Sequence, residues 1–269
     1  MLFDAVPTSL PTMTKLLGKR ALVTAGAQGI GLAISRRLLQ AGCDVFVHYH
    51  RSAEAARALE TEAQTLGRRC GGTAADLTVA AECRRIVGAA IEFLGGLDVL
   101  MNNAGSLLSR RSFAESDDDY WAQTMALNVA SLRRVTLAAT PHLAAAAKTG
   151  GGASIVNLSS LAARNGGGAG AIAYATAKGA VLTFSRGLAR ELAPDGIRVN
   201  ALAPGLILGS AFHEIHTPPE AQRAIIAGIP LGRAGDVDDV ARAAVFLASE
   251  FDGFITGAAI DINGGVYYN

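Results

Sequence analysis

A chain of 269 residues, half of them hydrophobic, is long enough for one well-buried α/β domain. Its formal net charge of +1, with no basic run, excludes a protein that grips phosphate backbones, and no apolar run reaches the ~18 residues of a membrane span. Cys43, Cys70 and Cys83 are odd in number and lack Cys-x-x-Cys spacing, so reduced thiols in a cytoplasmic protein are expected, without disulfide or metal.

Residues 1–14 contain Pro7 and Pro11 but no basic start and no continuous apolar stretch. They read as a loose extension rather than a signal peptide, with the folded domain expected over 15–269. From Arg20 onward, short apolar runs alternate with longer helical patterns. The runs are Ala21–Thr24, Val45–Val47, Arg69–Ala74, Leu97–Met101, Ser154–Leu158, Ile197–Leu202 and Ala259–Ile262. Such alternation predicts one α/β domain: a doubly wound parallel sheet of seven strands with helices on both faces.

The first run opens into Thr24-Ala25-Gly26-Ala27-Gln28-Gly29-Ile30-Gly31 and then a helix. Glycines there let backbone N–H groups and a helix N-terminus approach a pyrophosphate. The second run ends in His48-Tyr49-His50-Arg51-Ser52. An NAD-preferring site carries an acid at this point; His50, Arg51 and Ser52 instead suit a 2′-phosphate, so NADP(H) is favoured over NAD(H). Ser52 also suits a helix cap. Asp76-Leu77 closes the third run, where Asp76 can receive the adenine amino group or cap the helix starting near Thr78. The fourth ends in Asn102-Asn103-Ala104-Gly105, small and amide residues that suit the ligand crevice or tie strands together. Arg110 and Arg111 follow, near the expected site mouth, as guanidinium partners for an acidic substrate or as solvated loop residues.

Farther along, Tyr174 and Lys178 are four residues apart and share one helix face. A fixed ammonium there would favour phenolate and lower the phenol's pKa, giving a proton donor and acceptor for an alcohol oxygen. A glycine-rich stretch before them lets Ser160 approach the tyrosine and steady developing negative charge on a carbonyl oxygen. Ser159 is the competing serine.

The set Thr24…Gly31, Asn102-Asn103-Ala104-Gly105, Asn128, Ser160, Tyr174, Lys178 and Pro204-Gly205 resembles the short-chain dehydrogenase/reductase superfamily over Lys15–Asn269. That resemblance implies a single Rossmann domain with Tyr174 as general acid/base. Lys178 would bind the nicotinamide ribose, Ser160 orient the carbonyl, and Asn128 hold a water linking the lysine to solvent. It also implies cofactor contacts from Asn103, Ala104, Gly105, Pro204, Gly205 and Ile207, and a homotetramer or homodimer. Three departures stand out. Ala25 replaces the loop's first glycine, which binding tolerates unless that residue needs positive φ. Ser160 and Tyr174 are 14 positions apart, one more than is commonest, with the extra residue expected in Gly166–Gly168. Gly209, followed by Ser210, stands where a threonine often meets the nicotinamide amide.

Residues 206–233 read as a substrate lid by their prolines, glycines and mixed polarity, with His213 and His216 as candidate contacts. Pro141–Lys148, Gly166–Gly170, Ala211–His213, Gly228–Pro230 and Asp261–Gly265 also resemble bacterial deoxy-keto-uronate reductases. Many of the same segments are shared with 3-oxoacyl-[acyl-carrier-protein] reductases. The expected function is hydride transfer between NADP(H) and a carbonyl or secondary alcohol, on a polar or sugar-acid-like substrate. The alternatives are a 3-oxoacyl-carrier reductase and a non-catalytic NADP sensor or scaffold.

Overall fold

The computed structural model describes residues 16–149, 151–210, 215–249 and 253–268; the N-terminal extension and His213 lie outside these. Strands β1 (Arg20–Val23), β2 (Asp44–Tyr49), β3 (Cys70–Ala74), β4 (Val99–Asn102), β5 (Ala153–Leu158), β6 (Ile197–Pro204), β7 (Ile207–Leu208), β8 (Gly235–Asp236) and β9 (Ala259–Ile262) contain all seven expected runs. Seven of them form one sheet in the order β3-β2-β1-β4-β5-β6-β9, every pairing parallel. The two-residue β7 and β8 pair separately. The order reverses between β1 and β4, which opens a crevice at the carboxyl ends of those strands.

The helices are α1 (Gly29–Gln40), α2 (Ala53–Thr65), α3 (Ala80–Leu94), α4 (Asp118–Met125), α5 (Ser131–Lys148), α6 (Ala162–Asn165), α7 (Ile172–Leu192), α8 (Pro219–Ala227) and α9 (Val237–Ala248). Strand alternation sorts the core into two layers. Ala21, Val23, Val45, Val47, Val99 and Met101 face α1, α2 and α9, whereas Leu22, Phe46, Leu100 and Ile155 face α3, α5 and α7. Both faces are therefore apolar, as a parallel sheet requires.

The sequence pattern gives one helix over Asp117–Ala147; the structure interrupts it. A π-helical turn, Ala126–Ala130, joins α4 to α5 and carries Asn128. Pi turns insert one extra residue and recur at functional sites. Ser160 is followed by short α6, which Gly166 ends at φ +82°, and the glycine stretch then returns to α7. The exposed α8 buries no side chain.

The cysteines are free: Cys43 and Cys83 are buried and Cys70 half-buried. Burial pushes the Cys43 and Cys70 thiols up to about 12, so both stay protonated at neutral pH. Among the described residues no helix is long and apolar enough to cross a membrane, and no cluster of His, Cys, Asp or Glu could hold a metal.

Candidate active site

The glycine loop sits where β1 meets α1. Thr24 does not line the cleft; its buried hydroxyl accepts from the Asn103 and Ala104 N–H groups at 2.9 and 3.0 Å, tying β1 to β4. Gly26 donates its N–H to His48 O at 2.9 Å and packs against Val47 and Val23 O, where a Cβ would collide. Ala25 has φ +50°, a left-handed conformation that disfavours an L side chain by about 1–2 kcal/mol. The replaced glycine is thus at a position that needs positive φ, and local bonds hold the alanine there. Its carbonyl accepts from Asn103 Nδ2 at 3.2 Å and lies against Gly31, whose missing Cβ leaves the space.

Gln28, Gly29 and Ile30 line a cleft shared with Asn103, Gly105, Ser160, Tyr174, Lys178, Pro204, Gly205, Ile207 and Ser210. A neighbouring depression is lined by His50, Asp76, Leu77 and Ala104, with His48, Tyr49 and Ala75. Arg51 is exposed and makes no hydrogen bond or ion pair among the described residues. Ser52 precedes α2 without a side-chain cap; its hydroxyl donates to Gln28 Oε1 at 2.9 Å instead. Asp76 Oδ1 accepts from Thr78 N and Oγ1 at 2.9 and 2.7 Å. It closes a turn rather than capping α3, which starts at Ala80.

Carboxyl ends of β5 and β6 place the remaining groups. Ser160 hydrogen-bonds Tyr174, and its Oγ accepts from Ala162 N at 3.1 Å. The rival serine is committed elsewhere: buried Ser159 donates to Lys178 O at 2.8 Å. Lys178 is 3 % exposed and donates from Nζ to Leu158 O at 2.8 Å, with Nζ 5.7 Å from the centre of the Tyr174 ring. Buried Asn128 brackets Ser106, accepting its N–H at 3.0 Å and donating to its carbonyl at 2.9 Å. A Cβ on Gly105 would lie 2.6 Å from Asn128 Oδ1 and 2.8 Å from Lys178 Nζ, so glycine lets the asparagine and lysine meet.

Electrostatics differ from the sequence expectation. Burial pushes the Tyr174 phenol up to about 12, opposed only by the Ser160 bond, and pushes Lys178 down to about 8. Desolvation outweighs the ammonium's pull on the phenol because both groups lie in a low-dielectric cleft. Tyr174 is therefore a protonated phenol at neutral pH, suited to donating a proton to an oxyanion.

The two arginines are engaged with protein groups. Arg110 Nε donates to His216 O at 3.1 Å and Nη1 to Ala169 O at 2.8 Å, joining residues 206–233 to the glycine stretch before α7. Arg111 pairs with Asp117 at 3.1 Å and lies 4.6 Å over the Tyr120 ring, which corrects its assignment as a substrate contact. Burial and Arg110 lower the His216 pKa, so it is neutral at pH 7.

Two residues of the site were not assigned from sequence. Ser210 lines the cleft beside Gly29. His48 joins the glycine loop to β3; the period of two along β2 puts it on the Phe46 face, which was the available signal.

Comparison with known proteins identifies this arrangement. A family profile described as Enoyl-(Acyl carrier protein) reductase matches residues 24–267. An oxidoreductase of Mycobacterium tuberculosis is 36 % identical, with 95 % of each chain covered. The rhamnolipid-biosynthesis 3-oxoacyl-[acyl-carrier-protein] reductase of Pseudomonas aeruginosa is 36 % identical over 94 % of this chain and 97 % of that one. Among solved structures, an NADH-dependent reductase responsible for alginate metabolism matches with TM-score 0.86 and 37 % identity, covering 94 % of this chain and 99 % of that one. A short-chain dehydrogenase from Burkholderia cenocepacia in complex with NADP matches with TM-score 0.85 and 35 % identity, covering 94 % and 99 %. The chain belongs to the short-chain dehydrogenase/reductase superfamily. It is an NAD(P)-dependent oxidoreductase acting on CH–OH and C=O groups.

Proposed function

We propose that this protein reduces the carbonyl, or oxidises the secondary alcohol, of a polar, sugar-acid-like substrate with NADP(H). The observation that carries the reading is the meeting of Ser160, Tyr174 and Lys178 in the cleft lined by Gln28–Ile30. The glycine loop fits a dinucleotide: Gly31 leaves room for the folded-back loop, and the α1 N-terminus supplies free N–H groups for phosphate. The bound dinucleotide supplies or takes the hydride. In reduction, Tyr174 gives its proton to the substrate oxygen while Ser160 donates a hydrogen bond to it. Lys178 and Asn128 hold the ribose side and the proton supply. Ser210 serves the amide contact that Gly209 cannot.

NADP is favoured because the end of β2 presents exposed His50 and Arg51 beside Ser52, with no carboxylate among them. Arg51→Ala should raise the KM for NADPH about tenfold and leave that for NADH unchanged, since a charge-assisted bond to phosphate contributes about 1.5–3 kcal/mol. An equal effect on both cofactors removes the assignment.

Residues 206–233 form the substrate lid in this reading, supported by exposed α8 and by Arg110, which fastens the segment to the catalytic side. Arg110→Ala tested on uronate-type and neutral carbonyls separates two roles. A loss several-fold greater on the acids supports carboxylate pairing; an equal loss on both leaves Arg110 only the lid. The Pseudomonas aeruginosa relative favours a second reading, 3-oxoacyl-thioester reduction, which the same assay tests with an acyl thioester. Exposed Phe113, Trp121 and Leu137 on or beside α4 and α5 support a homotetramer or homodimer, measurable by light scattering.

A further inference from the structure

We propose that His48 is a positioning residue for the dinucleotide loop, its neutral imidazole holding the loop in the binding conformation and its protonation weakening dinucleotide affinity. This rests on the dinucleotide-binding reading above.

The geometry fixes the tautomer. His48 is 3 % exposed, with Nδ1 3.1 Å from Ala25 N and Nε2 3.1 Å from Ala75 O. A backbone N–H can only donate, so Nδ1 accepts; Nε2 then carries the proton and donates to Ala75. One ring thereby cross-links the loop after β1 to the segment after β3. These two segments wall the depression that also contains Asp76 and Leu77.

The link has a specific task. Ala25 occupies left-handed φ +50°, where a side chain is strained. Two side chains hold it: His48 takes its N–H, and Asn103 Nδ2 donates to its carbonyl at 3.2 Å. A loop with glycine at this position adopts the conformation without help. Alanine makes the imidazole part of the binding apparatus.

Protonation would place two donors face to face, Nδ1–H against Ala25 N–H, and the loop would lose its hold. Burial is the largest influence on the ring and holds its pKa below the ordinary 6.5. Of the charged groups around it, His50 on β2 and Arg85 on α3 also oppose protonation, while Asp76 after β3 favours it. The loop itself contributes no titratable side chain. Since the folded state prefers neutral His48, its contribution is complete above pH 6.5 and is lost as pH falls below that value.

The test is NAD⁺ affinity by calorimetry between pH 8 and pH 5; NAD⁺ lacks the 2′-phosphate that titrates in this range. The parent protein is expected to bind at least tenfold more weakly at pH 5. His48→Asn keeps an acceptor and a donor, and should bind with little pH dependence. His48→Leu, checked for folding by thermal melt, should bind about tenfold more weakly at every pH. Wild-type affinity in His48→Leu, or an unchanged pH slope in His48→Asn, overturns the proposal. His50 is present in all three proteins, so its titration cancels. If His48→Leu does not fold, the slope of His48→Asn alone decides. A parent protein that binds neither NAD⁺ nor NADP⁺ overturns the underlying dinucleotide reading instead.

Discussion

Tyr174→Phe is expected to lower turnover by about 10²- to 10⁴-fold while dinucleotide affinity stays within about twofold of the parent. The substitution removes one oxygen and keeps the ring beside Lys178 Nζ. It also removes the partner of Ser160, so the serine hydroxyl remains in place without the proton source. Uncatalysed delivery of a proton from water then sets the rate. Steady-state kinetics and a binding titration on the same preparation check this. Retained turnover sinks the role given to the phenol. The pH dependence has a defined sign. With the phenol held up at about 12, reduction should not need an acidic medium, whereas alcohol oxidation, which needs the phenol to accept a proton, should accelerate as pH rises.

Gly31→Ala is the second large effect. The added methyl would overlap Ala25 O and Asn103 Nδ2, so the loop or the asparagine must move. Displacing Asn103 Nδ2 breaks its bonds to Thr24 O and Ala25 O at 3.1 and 3.2 Å. Overpacking of this kind costs about 1–3 kcal/mol. In a domain of this size that lowers Tm by about 2–10 °C. Dinucleotide affinity should fall at least about tenfold, because the displaced atoms shape the pyrophosphate loop. Gly88→Ala is the matched control. Gly88 lies within α3 with open space around its Cβ position, so the same substitution there should stabilise by about 0.5–1 kcal/mol. Thermal melts of the two variants should move in opposite directions.

The sheet was legible because both of its faces are covered. A strand buried on both sides must be apolar at every position, and runs such as Ser154–Leu158 stand out between polar helix faces. Loop chemistry was legible for a similar reason, since only glycine satisfies the contact at Gly31. What could not be read were effects of packing between distant segments. The π turn has no composition of its own; it exists because Asn128 brackets Ser106 from across the cleft. Arg110 looked like a free guanidinium because nothing in its neighbourhood of sequence reveals carbonyls 59 and 106 residues away. The phenol's raised pKa belongs to the same group. Spacing along a helix reports the nearby ammonium, whereas the burial that outweighs it is a property of the assembled cleft.

The π turn has a consequence for how this chain tolerates insertion and deletion. It contains one residue more than a regular helix over Ala126–Ala130. Removing that residue would let α4 and α5 fuse into an ordinary helix, rotating everything beyond the cut by about 100°. Val135, Ala139 and Leu143 would swing off the sheet, and Asn128 would lose Ser106. The surplus residue is thus locked in from both ends: catalytic geometry holds one side and core register the other, so neither can relax without the other failing.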